Sequence, residues 1–199
     1  NHRRSGILLH ITSLPNVWGK GDLGKEAYNF INFLSDAGVK VWQTLPLGVP
    51  HSDGSPYQCL SAHAGNPELI NIEFLQEKGW IDTEISDCNC SLQKCKKIRC
   101  LLAKSCSSFQ EFASKEEQQE FVDFCNVKAD WLDDFSLFMA LKDNFAEKSW
   151  NHWPEEFKYR DPVALKKARR QLNASIKNIQ FEQFVFHTQW NALKAYANE

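Results

Sequence analysis

The sequence lacks an apolar run close to the roughly 18 residues that a membrane-spanning helix requires. It also lacks a dominant charge, because 23 basic residues oppose 25 acidic ones and leave a formal net charge of −2. A chain with so little net charge has no global field to attract nucleic acid or an anionic membrane. We therefore expect neither a nucleic acid nor a membrane among its partners.

Three sequence motifs that mark common functional sites are also missing. The chain has no P-loop, no H-E-x-x-H and no G-x-S-x-G. These patterns serve nucleotide binding, zinc catalysis and serine nucleophiles. His10 and His63 are the candidate general bases, but neither has a nucleophile at a diagnostic spacing. A histidine in an apolar strand is also a common core residue.

The seven cysteines do not follow the spacing of a metal site. Five of them crowd into one stretch between Cys88 and Cys106, in the pattern C-x-C-x4-C-x4-C-x5-C. A zinc ribbon needs two short C-x-x-C-like pairs separated by a longer gap. A chain of 199 residues is also long enough to bury a core without disulfides. We predict free thiols from Cys88 to Cys106 and no structural metal.

What the sequence does contain begins with a strand, a helix and a second strand. The run 6–11, GILLHI, and the run 39–45, VKVWQTL, are rich in apolar residues and predict strands buried on both faces. Between them, apolar residues recur with helical spacing over 25–37, and Gly38 supplies a helix stop. Such a unit places its two strands side by side and parallel. The fold class is therefore α/β.

A long segment without periodicity follows the second strand, over residues 46–67. Loops of this length in a compact domain are usually functional or disordered. This one leaves the carboxyl end of a strand, where α/β folds place their chemistry. Within it, SPYQ at 55–58 presents Tyr57 directly after a proline. Such a ring can stack on the apolar face of a sugar, although a tyrosine packed within the loop fits the same residues.

The remaining residues are predicted to be mostly helical. ELINIEFL, 68–75, suggests a short strand, whereas helical patterns occupy 92–128, 131–145 and 163–198, around an aromatic-rich connector at 149–162. One strand–helix–strand unit cannot close a sheet by itself. Either the helices cover it or further strands complete it.

Six stretches of the sequence resemble landmarks of one known family and occur in the same order. They are SGILLHITSLPNVWGKGDLGKEAYNFINFLSDAG, VWQTLPLG, SPYQCLSAHAGNPELI, WLDDFSLFMALK, WNHWPEEFKYRDP and QWNALKAYANE. The family is that of the 4-α-glucanotransferases, glycoside hydrolase family 77, also called amylomaltases or disproportionating enzymes. Apart from the cysteine-rich stretch 82–128, the resemblance covers nearly the whole chain.

The resemblance implies the start of a TIM (β/α)8 barrel, with its first two strands, and a mostly helical inserted subdomain. Residues 1–67 would form the first βαβ unit and the active-site loop. Residues 68–180 would form the mostly helical insertion, and residues 181–199 a helix that leads back to the barrel. The rest of the barrel is expected from the remainder of the parent chain. The resemblance further implies no cofactor or metal, and a location in the cytoplasm, or in the plastid of a plant or alga.

The resemblance also implies an activity. Family members cut an α-1,4-glucan, such as a maltooligosaccharide or a dextrin of starch or glycogen, and transfer the freed piece to the 4-OH of another glucan or glucose. They retain configuration, which requires a carboxylate nucleophile and a second carboxyl group as acid and base. The family's carboxylate motifs, R-x-D-H, A-E-D-L-G and H-D-N, are absent from residues 1–199.

By this comparison the chain corresponds to the amino-terminal two-fifths or so of a family member and contains no catalytic residue. The isolated 199-residue chain is therefore expected to be inactive. The alternative hypothesis is a non-catalytic glucan-binding or interaction module.

Residue by residue, the resemblance transfers binding roles and no catalytic ones. It implies that Tyr57 is the ring that stacks on the sugar at the cleavage point, with Ser55 as a hydrogen-bonding neighbour. Asn66 and Pro67 match the family's A-G-N-P turn and are expected to shape the loop. Asp22 falls in the motif G-D-L-G and is expected to be structural.

Overall fold

A computed structural model describes residues 3–16, 19–51, 53–81 and 94–199, with side chains from residue 97 onward in the last range. The chain forms two compact units. Unit 1 comprises Asn1–Ser114 and Val185–Glu199, and unit 2 comprises Lys115–Phe184. The three-part division that the family resemblance implies stays a prediction.

The described elements are two short strands and eight α-helices. In chain order they are β1 (Gly6–Leu8), α1 (Lys25–Asp36), β2 (Val41–Gln43), α2 (Ile72–Glu77), α3 (Lys94–Phe112), α4 (Lys115–Val127), α5 (Ala129–Asn144), α6 (Glu155–Lys158), α7 (Pro162–Gln171) and α8 (Asn173–Tyr196). Short 3-10 turns occur at Ile11–Ser13, Pro67–Leu69 and Trp150–His152. Among these elements, no helix has both the length and the apolar character that crossing a membrane requires.

The predicted strand–helix–strand unit is confirmed in unit 1. β1 and β2 pair in parallel, with residues 6–8 in register with residues 41–43, and α1 connects them. Both strands are shorter than predicted. Beyond β1 the pairing continues only through the N–H of Leu9, which donates to the carbonyl of Gln43 at 3.0 Å. The chain then turns into the 3-10 segment that begins at Ile11, whose side chain is fully buried.

The two faces of this small sheet have different surroundings. On one face, the ring of Trp42 lies edge-on to that of Phe30 in α1, with centroids 5.0 Å apart. The indole N–H of Trp42 donates to the carbonyl of Leu9 at 2.8 Å. On the opposite face Leu8 is 59% exposed and Val41 is 40% exposed. The burial on both faces that the apolar runs indicate is therefore not met within the described residues, because none of their elements covers this second face.

Helix α1 ends where its sequence predicts. Gly38 follows the helix with a φ of 72°, a conformation in which a residue with a Cβ is strained. The N–H of Val39 then reaches back to the carbonyl of Leu34 at 2.9 Å. On the apolar side of the helix, Ala27 and Leu34 are buried.

The strand predicted over 68–75 is wrong. The structure has a 3-10 turn at Pro67–Leu69 and the helix α2 instead. Both begin at an asparagine cap: the side chain of Asn66 accepts from the N–H of Glu68, and that of Asn71 accepts from the N–H of Phe74. Asparagine at these two positions favours helical turns over a strand, because its side-chain oxygen satisfies amide groups that a helix start leaves open.

The remaining predicted helices are confirmed with shifted boundaries. The patterns over 92–128, 131–145 and 163–198 correspond to α3 with α4, to α5, and to α7 with α8. In α5 the apolar side chains of Leu132, Phe135, Met139 and Leu141 are buried.

The aromatic-rich connector forms part of the core of unit 2. The ring of Trp153 lies 5.5 Å from that of Phe138 and 5.4 Å from that of Phe145, between centroids. Phe145 in turn packs against Phe157 of α6 at 5.3 Å. The indole N–H of Trp153 donates to the carbonyl of Lys148 at 3.0 Å. Because aromatic rings bury large areas in tilted contacts of this kind, the connector stabilises unit 2.

Helix α5 ends with non-glycine residues in the left-handed region. Ala146 has a φ of 52° and Glu147 a φ of 63°. The N–H of Glu147 donates to the carbonyl of Lys142 and that of Ala146 to the carbonyl of Asp143, which is the hydrogen-bond pattern of a Schellman cap. Glycine is the usual residue at the position of Ala146 because a Cβ disfavours this conformation.

We therefore predict that Ala146→Gly stabilises the protein. Ala146 is exposed, so its methyl group contributes little packing, and relief of the left-handed strain should raise the free energy of unfolding by about 0.5–1 kcal/mol. Urea denaturation measures this. The matched control is Ala192→Gly, at an exposed position inside α8, which should lower stability by about 1 kcal/mol. A loss of stability for both variants would contradict the prediction.

Candidate functional site

The long segment 46–67 folds back on itself as an irregular ribbon directly after β2. Its two arms meet in antiparallel bridges between Gly48 and Gly65 and between Pro50 and Cys59. The N–H of Leu60 donates to the carbonyl of Val49 at 2.9 Å, between these two bridges. The ribbon therefore has a base near residues 47 and 66 and a tip around residues 53–57.

Local hydrogen bonds fix the tip of the ribbon. The N–H of Ser55 donates to the carboxylate of Asp53 at 3.1 Å, and the N–H of Gln58 donates to the carbonyl of Ser55 at 3.2 Å. Gly54 allows the turn with a φ of 73°. Tyr57 stands on this tip with 73% of its surface exposed. The sequence left two hypotheses for Tyr57, a ring that stacks on a sugar and a ring packed within the loop. The exposed ring fits the first hypothesis and not the second.

Asn66 and Pro67 lie at the base of the ribbon and are buried. The N–H of Asn66 donates to the carbonyl of Leu47 at 2.8 Å, which closes the two arms. The side-chain oxygen of Asn66 accepts from the N–H of Glu68 at 3.0 Å, and Pro67 occupies the first position of the 3-10 turn. These contacts fit the expected loop-shaping role, which stays a prediction.

A cavity of about 480 Å³ lies within unit 1 between this ribbon and residues 186–190 of α8. Its volume falls within the range of small-molecule sites, which is about 300–1,000 Å³. Tyr57, Cys59 and His63 line it from the ribbon. Ser55 is not among its lining residues, so the structure brings Tyr57 to the cavity and leaves Ser55 beside it at the tip.

Helix α8 supplies the opposite wall through Phe186, His187 and Trp190. Sequence reasoning missed these residues as parts of a site, because they lie far along the chain from the ribbon. The only signal was the aromatic content of FVFHTQW and the spacing of four that places Phe186 and Trp190 on one helix face.

Gly65 permits the close approach of α8 to the ribbon. A Cβ built on Gly65 would lie 2.0 Å from Cδ1 of Phe186 and 2.1 Å from its Cε1. Phe186 itself is only 3% exposed. The ring therefore occupies the space that any other residue at position 65 would need.

A buried polar network holds the surrounding segments in place. The carboxylate of Asp22 accepts from the N–H of Gly24 at 2.9 Å, from the amide of Asn16 at 2.7 Å and from the amide of Asn71 at 3.3 Å. Burial raises the pKa of Asp22, while these three donors act in the opposite direction. The expected structural role of Asp22 fits these contacts.

The network continues into α8 through Gln189. Its side-chain oxygen accepts from the N–H of Asn71 at 2.8 Å, and its amide donates to the carbonyl of Asn71 at 3.0 Å. Gln189 is next to Trp190 in the sequence. The hydrogen bonds of Gln189 therefore fix the turn of α8 that carries part of the cavity wall.

The two histidines considered as general bases do not meet. His63 lines the cavity, whereas His10 is absent from its lining. Burial, and secondarily the charge of Lys20, lowers the pKa of His10, which favours a neutral imidazole. The described cavity lining also contains no aspartate or glutamate. This arrangement can bind an uncharged ligand with apolar faces, but it offers no pair of carboxyl groups for cleavage.

The described part of the chain has no group of three or more histidine, cysteine, aspartate or glutamate residues suited to a metal ion. In this part of the chain Cys59, Cys100, Cys106 and Cys125 form no disulfide. Burial raises the pKa of Cys125 to about 11. The cysteines at 88 and 90 and the side chain of Cys95, which belong to the predicted set of free thiols, lie outside the described residues.

Comparison with known proteins identifies the family. Residues 9–199 match the 4-alpha-glucanotransferases of glycoside hydrolase family 77. The chain belongs to this family. The 4-alpha-glucanotransferase of Synechocystis sp. is 40% identical over 99% of this chain and 41% of its own length. That of Thermus thermophilus is 41% identical over 98% of this chain and 40% of its own length.

A solved structure of the family matches the fold. The amylomaltase from Streptococcus agalactiae, in complex with acarbose, superposes with a TM-score of 0.90 and 36% sequence identity. The match covers 99% of this chain and 41% of that amylomaltase. The chain thus spans about two-fifths of the length of the 4-alpha-glucanotransferases that it matches.

We predict that Gly65→Ala destabilises the protein by about 1–3 kcal/mol, because the added methyl group displaces a ring that is packed in a buried site. Chemical denaturation of the single variant measures this cost. In a Phe186→Ala background the same substitution should cost less than about 0.5 kcal/mol, since the clashing ring is gone. Equal costs in the two backgrounds would show that Gly65 is required for another reason.

Proposed function

We propose that the protein carrying this chain is a 4-alpha-glucanotransferase. It transfers a segment of an α-1,4-glucan to the 4-OH of an acceptor glucan or glucose with retention of configuration. The observation that carries the proposal is the family match over residues 9–199, supported by an exposed tyrosine at the mouth of a cavity of suitable size. The substrates would be maltooligosaccharides or dextrins of starch or glycogen, and the proposed location is the cytoplasm or a plastid.

In this proposal Tyr57 binds the glucan by stacking. The ring is exposed at the tip of a ribbon whose turn is closed by backbone hydrogen bonds. A glucose unit presents C–H groups on its faces and hydroxyl groups around its edge, so an aromatic plane buries the face while polar groups bind the edge. Ser55, whose N–H is already held by Asp53, would offer its hydroxyl group to a sugar in the acceptor region.

The chemical step needs groups beyond those of the described cavity. A retaining transfer uses one carboxylate to form a glycosyl-enzyme and another carboxyl group to protonate the leaving oxygen. The cavity lining supplies neither. We propose that both come from later strands of a TIM (β/α)8 barrel, of which β1 and β2 are the first two. In such a barrel the functional groups sit at the carboxyl ends of the strands, and the ribbon that carries Tyr57 leaves that end of β2.

A second candidate is a non-catalytic glucan-binding module, which the absence of aspartate and glutamate from the described cavity lining favours. Incubation of the full-length gene product with maltotriose distinguishes the two. A transferase releases glucose and forms longer dextrins above a no-protein control. A binding module leaves maltotriose unchanged while still binding it, as isothermal titration calorimetry would show.

We predict that Tyr57→Ala lowers the transfer activity of the full-length protein by about 100-fold, because a misplaced reacting sugar carries a cost of that order. Tyr57→Phe keeps the stacking plane and should lose less than about tenfold, the contribution of one hydrogen bond. Glucose release from maltotriose measures both variants.

The matched control is Tyr159→Ala. Tyr159 is a tyrosine of unit 2 that is 71% exposed and has no place in the cavity lining, so its loss should leave the activity unchanged. Small and equal losses for Tyr57→Ala and Tyr57→Phe would mean that Tyr57 does not bind the reacting sugar.

A further inference from the structure

We propose that Cys59 is a positioning residue for Tyr57, acting through a hydrogen bond from its thiol to the backbone that carries the tyrosine. This inference rests on the proposed function for its catalytic consequence. The structural coupling between the two residues can be tested independently of any activity.

The thiol of Cys59 donates to the carbonyl oxygen of Pro56, with an S–O distance of 3.2 Å. That carbonyl belongs to the peptide unit that joins Pro56 to Tyr57. The peptide unit is planar, so fixing its oxygen also fixes the direction of the Tyr57 N–H and Cα. The thiol therefore orients the backbone from which the aromatic side chain extends.

Proline gives this contact its importance. Pro56 has a fixed φ, so its ψ alone sets the orientation of the peptide unit that carries this carbonyl and the N–H of Tyr57. The N–H of Gln58 holds the carbonyl of Ser55 at 3.2 Å. The thiol of Cys59 holds the next carbonyl along the chain. The carbonyls of the two residues before Tyr57 therefore both accept hydrogen bonds, one from the N–H of Gln58 and one from the thiol of Cys59.

The ribbon in turn fixes the position of Cys59. Its backbone pairs with Pro50 in one of the two bridges, and its side chain packs over Gly48. A Cβ built on Gly48 would lie 2.9 Å from the sulfur and 3.0 Å from the Cβ of Cys59. Position 48 therefore needs glycine to leave room for the side chain of Cys59 in the place from which it reaches Pro56.

The chemistry of the contact predicts which substitutions are tolerated. A thiol is a weak donor, and a serine hydroxyl group is a stronger donor of similar reach. Cys59→Ser should preserve the contact, whereas Cys59→Ala and Cys59→Val remove the donor. Alanine is smaller than cysteine and valine is larger by about one methyl group, so a loss shared by both variants separates the loss of the hydrogen bond from a change in packing.

The first test measures transfer from maltotriose by the full-length gene product. Cys59→Ala and Cys59→Val should lower kcat/KM by about tenfold, the upper range for one lost hydrogen bond, and Cys59→Ser should stay within about threefold of the wild type. Gly48→Ala should reproduce the loss, because it displaces the same side chain. Equal impairment of Cys59→Ser and Cys59→Val would overturn the proposal, as would full activity of Cys59→Val.

The second test needs no activity. Protein labelled with 3-fluorotyrosine gives a ¹⁹F resonance for Tyr57, assigned by its loss in Tyr57→Phe. We expect this resonance to shift in Cys59→Val and to return to its wild-type position in Cys59→Ser. An unmoved resonance in Cys59→Val would overturn the coupling. If the wild type released no glucose but the resonance behaved as expected, the proposed function would fail while the positioning role would stand.

Discussion

The cavity depends on one pair of hydrogen bonds between residues 118 positions apart in the chain. Gln189 both donates to and accepts from the backbone of Asn71, as a neighbouring strand would. Both residues are buried, so removing the glutamine side chain would leave an N–H and a carbonyl unpaired inside the protein, which is costly. Because Phe186 and Trp190 lie on the same helix as Gln189, this pair holds the wall of the cavity opposite the ribbon.

Asp22 connects the loop that follows β1 to Asn71, the partner of Gln189, through a buried hydrogen bond. A buried carboxylate is disfavoured in its charged form, and burial is the largest cause of the raised pKa of Asp22. A folded-state pKa above that of the unfolded chain means that the contribution of this group to stability is greatest at acidic pH and declines as the pH rises through the folded pKa. The donors from Asn16, Gly24 and Asn71 limit this decline. Gly24 is needed here because a Cβ would lie 2.2 Å from the amide nitrogen of Asn71.

The sequence predicts the local features of this chain better than its long-range contacts. The parallel pair of strands, the helix between them and its stop at Gly38 follow from periodicity and glycine placement, because those signals act between near neighbours. The strand predicted over 68–75 is wrong, since apolar content alone does not distinguish a strand from turns capped by Asn66 and Asn71. Tyr57 could be singled out from its loop sequence alone. The α8 residues that line the cavity could not, because only the fold brings them close to that loop.

The exposed face of the sheet bears on the choice between the two candidate functions. Parallel strands are normally covered on both faces, and a sheet of two short strands is marginal without further packing. Here α1 covers the face of Trp42, while Leu8 and Val41 on the other face are exposed. In the proposed (β/α)8 barrel, side chains from later strands would cover these apolar residues. A binding module built from the described residues alone would instead need another partner to cover them.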